Sequence, residues 1–132
     1  MIVLDASAAL DWLLRRAAAP AVEAVITEPA QSIHLPHLWA VEIAQVLRRL
    51  TNSGTISPAR ARQALDAAAD LAAARYEHEP LLPRVWELRA NLTAYDAVYV
   101  ALAEALDATL VTSDARIAGA PGLRATVQVL DG

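Results

Sequence analysis

Short apolar runs that end at polar or turn residues alternate with longer stretches of helical periodicity along the chain, and this alternation leaves few folds open. Ile2-Val3-Leu4 is stopped by Asp5 and reads as a buried strand. Ser32 to Leu35 and Thr109 to Thr112 repeat the pattern, Thr126 to Leu130 closes it, and Arg75 to His78 is a weaker instance. Between the runs lie helical patterns. Ala6 to about Arg16 places Leu10, Leu13 and Leu14 on one side, and Pro20 opens a second helix with Val22, Val25 and Ile26 inward, stopped by Pro29. From Pro36 a long helix runs to about Asn52, with Trp39, Ile43, Val46, Leu47 and Leu50 as its apolar stripe and Gly54 closing it. Ser57-Pro58 starts a helix to about Ala74 with Leu65 and Leu71 inward. Leu82 to about Asn91 is helical, and Asp96 to Ala105 buries Val98, Leu102 and Leu106. Strands alternating with helices predict a three-layer α/β/α domain around a central parallel sheet of four to five strands, with residues 1–132 as one domain.

The chain of 132 residues is 56% hydrophobic and 20% charged, enough to build a core and too apolar for disorder. It has no cysteine, which excludes disulfides and thiolate zinc sites and fits a reducing compartment. No apolar run approaches the ~20 residues needed to span a bilayer, so the expectation is a soluble cytoplasmic protein without membrane contact. Net charge is −4, and all eleven basic residues are arginine. That balance disfavours nucleic-acid binding by bulk attraction, although carboxylates gathered around cations do not act as free negative charge. The absence of lysine excludes any mechanism that needs a catalytic one.

Ligands of open parallel sheets sit beyond the carboxyl ends of the strands, where strand order reverses. Asp5 ends the first strand and Asp114 follows the strand Thr109–Thr112; Glu42 on the long helix and Asp96 in the first turn of its helix can reach the same edge. Each has a purely local reading. Asp5, or Ser7, caps the first helix; Asp114 caps a short one; Thr93-x-x-Asp96 resembles a capping box; Glu42, at the border of its stripe, snorkels to water. Together they say more. Carboxylates converging on one edge repel and rise in pKa unless cations are present, and no lysine supplies that charge. Hard oxygen donors without cysteine, and with no His-Glu-x-x-His, select Mg²⁺ or Mn²⁺ over zinc. Such ions would activate a water and stabilise the leaving oxygen of a phosphodiester.

Four segments carry a family resemblance. Ile2-Val3-Leu4-Asp5-Ala6-Ser7 resembles the opening Asp-x-Ser of PIN domains, above all of the VapC-type toxins of bacterial toxin–antitoxin pairs. Trp39-Ala40-Val41-Glu42-Ile43 is similar to the family's helical Glu segment, Tyr95 to Ala103 to its most recognisable stretch, and Leu110 to Ala118 to its last acidic block. The resemblance implies a magnesium- or manganese-dependent endoribonuclease that leaves a 5′-phosphate and a 3′-hydroxyl on tRNA, rRNA or mRNA. Asp5, Glu42, Asp96 and Asp114 would be the catalytic and metal-holding set, with Ser7 and Thr112 as supporting hydroxyls. It further implies a homodimer and a VapB-type antitoxin that blocks the site. The segment from Thr55 to Arg89 carries no family signature.

Arg48, Arg49, Arg84, Arg89 and Arg116 are candidates for the RNA backbone, against the plainer reading of solvated surface. His34, His37 and His78 are scattered and read as core or surface, and Trp12, Trp39 and Trp86 as core or dimer contacts. Phosphotransfer receivers and haloacid-dehalogenase-type phosphatases also place Asp after the first strand, but both use a lysine. A PIN nuclease of RNA maturation without an antitoxin, and a non-catalytic PIN-like binding or repressor module, remain as alternatives. Four gathered carboxylates argue against the latter.

Overall fold

The computed structural model describes residues 1–131. Its centre is a five-stranded, all-parallel sheet of β1 (Ile2–Leu4), β2 (Ile33–Pro36), β3 (Ala74–Tyr76), β4 (Thr109–Thr112) and β5 (Val127–Val129), in the order β3-β2-β1-β4-β5. Seven helices flank it: α1 (Ala6–Leu13), α2 (Ala19–Ile26), α3 (Leu38–Asn52), α4 (Pro58–Asp70), α5 (Leu82–Glu87), α6 (Ala94–Leu106) and α7 (Ala115–Ala118). This is the expected three-layer α/β/α architecture. In the register, Ile2 pairs with Ile33 on one side and Thr109 on the other, and Leu4 pairs with Val111. The chain runs outward from β1 through β2 to β3, then crosses back through α5 and α6 to β4 on the other side of β1, so the strand order reverses between β1 and β4. The crevice expected at such a reversal lies just beyond Leu4 and Thr112.

The central strand β1 is apolar on both faces because both are covered, and every one of its residues is buried; the edge strands β3 and β5 carry polar residues and are partly exposed. Helix α6 lies against β1, β2 and β4 and is buried without a break from Ala97 to Ala103, so it lacks the polar stripe of a surface helix. Small alanines let it sit close to the sheet. Helices α1 to α4 pack among themselves, with Trp39, Ile43 and Leu47 of α3 turned inward.

Several details differ from the sequence reading. Helix α4 ends at Asp70, where Leu71 turns to extended backbone, and its buried side is Ala64 and Ala68, while Leu65 is exposed. The helix packs through its small residues, since a tight approach tolerates Ala better than Leu. Helix α1 stops at Leu13, and Arg15 takes a left-handed turn with φ 54° that redirects the chain into α2. Trp86 is two-thirds exposed and carries the Arg89 guanidinium 4.6 Å over its ring; it is not a core residue.

Candidate active site

Asp5 follows the last residue of β1, and its backbone N–H donates to Val111 of β4 at 3.0 Å, so the two strand ends are stitched together at this residue. Its carboxylate is buried and caps α1, accepting from the Ala8 N–H at 3.0 Å. The local reading of Asp5 is thus correct, yet capping uses one oxygen in part. The Ser7 hydroxyl also donates to Oδ1, at 2.7 Å, and the Thr112 hydroxyl donates to Oδ2. Ser7 and Thr112, both expected as supporting hydroxyls, are therefore in direct contact with it. Burial pushes the Asp5 carboxyl above its usual range despite these three donors, and the charge of Asp114 adds to the rise.

Thr112 and Ser7 tie the next acid into the same edge. The Asp114 N–H donates to Thr112 Oγ1 at 2.9 Å, and the Ser113 N–H to Ser7 Oγ at 3.1 Å. Asp114 caps α7 through the Arg116 N–H at 3.0 Å and pairs with the Arg116 guanidinium through both oxygens, at 2.7 and 3.0 Å. That forked bond holds Asp114 below the usual carboxylate range.

Glu42 and Asp96 come from opposite sides of the sheet crevice. Both are half-buried, and burial raises both. Glu42 feels the charges of Asp96 and Asp5, and Asp96 feels that of Asp114, so the four acids form one coupled group at one edge. Asp96 sits in the first turn of α6, and its N–H donates to the capping Thr93 hydroxyl at 3.2 Å. Arg116 is the cation that bears on both Asp114 and Asp96. As placed, no three of the acidic or histidine side chains among the described residues are already disposed to ligate a single ion. The donor set nonetheless fits a hard divalent cation: oxygens only, three acids pushed up by burial and mutual charge, and one arginine among them.

Two functional contacts escaped the sequence. Tyr99, one turn after Asp96 on α6, donates its hydroxyl to Glu42 Oε1 at 2.6 Å. Its only sequence signal is a tyrosine in an otherwise aliphatic buried helix. The Ser113 hydroxyl donates to Asp11 Oδ2 at 2.6 Å, fastening the β4 end to α1.

A cleft of about 710 Å³ opens beside the acids, lined by Ser7, Glu42, Leu38, Val41, Tyr95 and Arg49 among others, with Arg116 also at its wall. Arg49 and Arg116 are thus brought to the site. Arg84 is not. Its guanidinium grips Glu104 at 2.7 and 3.2 Å and the Gly122 carbonyl at 2.7 Å, two turns along α6 from Asp96. Arg89 stacks on Trp86, and Arg48 lies exposed on α3 beside a separate, smaller hollow. The histidines serve structure: His78 Nε2 accepts the Leu38 N–H at 2.8 Å at the start of α3, and His34 Nδ1 meets the Tyr76 hydroxyl at 2.6 Å.

Residues 2–123 match the family model of the PIN domain. The chain belongs to the PIN-domain family. This PIN domain is 50% identical over 117 residues to VapC ribonuclease Mb0985 of Mycobacterium bovis, covering 89% of this chain and 88% of that one. It is 43% identical over 129 residues to ribonuclease VapC1 of Mycobacterium tuberculosis, covering 97% and 96%. Among solved structures, it shares its fold with VapBC2 from Rickettsia felis bound to a promoter DNA fragment, at a TM-score of 0.71 and 16% identity, over 99% of this chain and 100% of that one. The VapC-type resemblance of the four acidic segments is accordingly a relationship of the whole domain.

Proposed function

We propose that this PIN domain is the endoribonuclease toxin of a VapBC-type toxin–antitoxin pair, dependent on Mg²⁺ or Mn²⁺. The observation that carries the reading is the coupled group of Asp5, Glu42, Asp96 and Asp114 at the β1–β4 crevice, three of them held above the ordinary carboxylate range. Relatives at 43 and 50% identity, named as VapC ribonucleases, support the activity, and likeness to a VapBC structure supports a VapB-type partner.

Asp5, Glu42, Asp96 and Asp114 would hold the ion, which would supply the positive charge that an RNA phosphodiester needs as negative charge builds on its oxygens. The chain's own groups prepare the rest. Ser7, Thr112 and the Ala8 N–H fix the Asp5 carboxylate in one orientation between the end of β1 and the start of α1. Arg116 balances Asp114 and remains exposed, so it can also face a phosphate. The cleft between α3 and the start of α6 receives the strand, with Arg49 at its wall for the backbone. The protein would act in the cytoplasm as a homodimer, cutting tRNA, rRNA or mRNA.

Wild type, Asp5→Asn and Asp96→Asn are to be compared on total RNA, each with Mn²⁺ and with EDTA. Cutting is expected only from wild type with Mn²⁺; equal cutting in all conditions would end the reading. Expression should arrest growth, with relief by the cognate antitoxin. Harmless expression would remove the toxin assignment and leave the nuclease standing.

A further inference from the structure

Tyr99 is packed into the core, 2% exposed, on the buried face of α6, where phenylalanine would fill the same space without burying a hydroxyl. An unpaired buried hydroxyl costs stability, so the position of this one calls for a partner. It has one: the Glu42 carboxylate, to which it donates at 2.6 Å. Glu42 needs such a partner more than Tyr99 does. It extends from the border of α3 toward Asp5 and Asp96, two charges that repel it, and its flexible side chain is otherwise free to turn to water. Among the described residues, Tyr99 is the only group that hydrogen-bonds the Glu42 carboxylate, and it occupies Oε1 alone.

We infer that Tyr99 is a positioning residue whose hydroxyl, held by a rigid core ring, fixes Glu42 over the acidic edge with Oε2 free to take a divalent cation. Asp96 and Tyr99 lie three residues apart on one helix, so α6 sets one acid directly and a second through this bond. The arrangement rests on the nuclease reading for its purpose, though the bond itself does not.

The experiment is a double-mutant cycle of Tyr99→Phe and Glu42→Ala, read by Mn²⁺ affinity in calorimetry and by single-turnover RNA cleavage. Tyr99→Phe keeps the ring and is expected to fold cooperatively, melting a few degrees below wild type because one bond to a half-buried carboxylate is lost, while losing roughly tenfold or more in Mn²⁺ affinity, the usual scale for a group that orients a ligand. In the Glu42→Ala background the same substitution should change Mn²⁺ affinity less than about twofold, because nothing remains for the hydroxyl to orient. Equal losses in both backgrounds, or full affinity in Tyr99→Phe, overturn the inference. The side-chain couplings of Glu42 in solution provide the arm that does not depend on metal: one rotamer in wild type and averaging in Tyr99→Phe support positioning, and one rotamer in both refutes it. A wild type that neither binds Mn²⁺ nor cuts RNA, yet shows that rotamer difference, would bring down the nuclease reading and leave the positioning intact.

Discussion

Thr112→Val is the sharpest probe of how the site is built, because it removes one oxygen and changes the shape of a fully buried side chain very little. That oxygen donates to the Asp5 carboxylate and accepts the Asp114 N–H at 2.9 Å. Losing a buried bond to a charged group costs about 1.5–3 kcal/mol, and the stranded N–H adds about 1 kcal/mol. The new methyl returns about 0.8 kcal/mol of apolar burial, for a net loss of about 2–3 kcal/mol. At about 2.1 cal/mol/K per residue, unfolding this chain gains about 0.28 kcal/mol/K, so the melting temperature should fall by roughly 7–11 °C. The assay is thermal and urea unfolding at pH 7 in EDTA, with Thr112→Ser as the control that keeps the hydroxyl. Thr112→Ser should lose only the methyl, about 1 kcal/mol. A valine variant as stable as wild type, or a serine variant as unstable as the valine one, would refute the claim that the hydroxyl anchors Asp5.

Further outcomes follow from the same contacts. Arg84→Ala should destabilise the fold by about 2 kcal/mol, between the values of exposed and buried pairs, because it breaks the forked bond to Glu104; RNA cleavage by the folded fraction should be unchanged, and a selective loss of RNA affinity would show that the residue does reach RNA. Arg49→Ala should leave unfolding unaltered while lowering the salt slope of RNA binding by about one, since Arg49 lines the cleft; an unchanged slope would remove it from the RNA path. Burial lowers the His34 pKa, which opposes the acids by costing stability as pH falls below its unfolded value, so in a His34→Gln background metal-free stability should rise as pH falls from 7 toward 5. Burial raises the folded-state pKa of Asp5, Glu42 and Asp96, so their contribution is complete below the unfolded value near pH 4 and is lost as pH climbs through the raised values. Asp114 works the other way, since Arg116 lowers it, and its contribution disappears at the acid end as pH falls through its folded value. Melting curves of the His34→Gln variant in EDTA across pH 4–8 check this, and a steady gain in stability from pH 5 to 7 would contradict it.

What could be seen in the sequence was whatever local spacing encodes. The strand Thr109–Thr112 has the predicted bounds, and Asp5 and Asp114 were visible because an acid directly after a parallel strand has few places to go. Glu42 stood out as a charge beside an apolar stripe. Contacts between distant residues left no such trace. Tyr99 meets Glu42 across 57 positions and Arg84 meets Glu104 across 20, and nothing in either neighbourhood announces the partner. Arg84 therefore looked as available for RNA as Arg49, although its charge is already spent on the fold. The buried side of α4 was misjudged for a related reason: leucine is the more apolar residue, but the close approach of α4 to its neighbours selects Ala64 and Ala68. Trp86 shows the converse, a large ring left at the surface under Arg89.

The central claim is that four side chains from β1, α3, α6 and the end of β4 act as one receptor for a divalent ion. Calorimetric titration of metal-free protein with Mn²⁺ at pH 7 tests it most directly, with Asp5→Asn, Glu42→Gln, Asp96→Asn and Asp114→Asn run beside wild type. Saturable binding by wild type, weakened by each of the four substitutions, is the predicted result. Binding that is absent in wild type, or indifferent to all four changes, would contradict it.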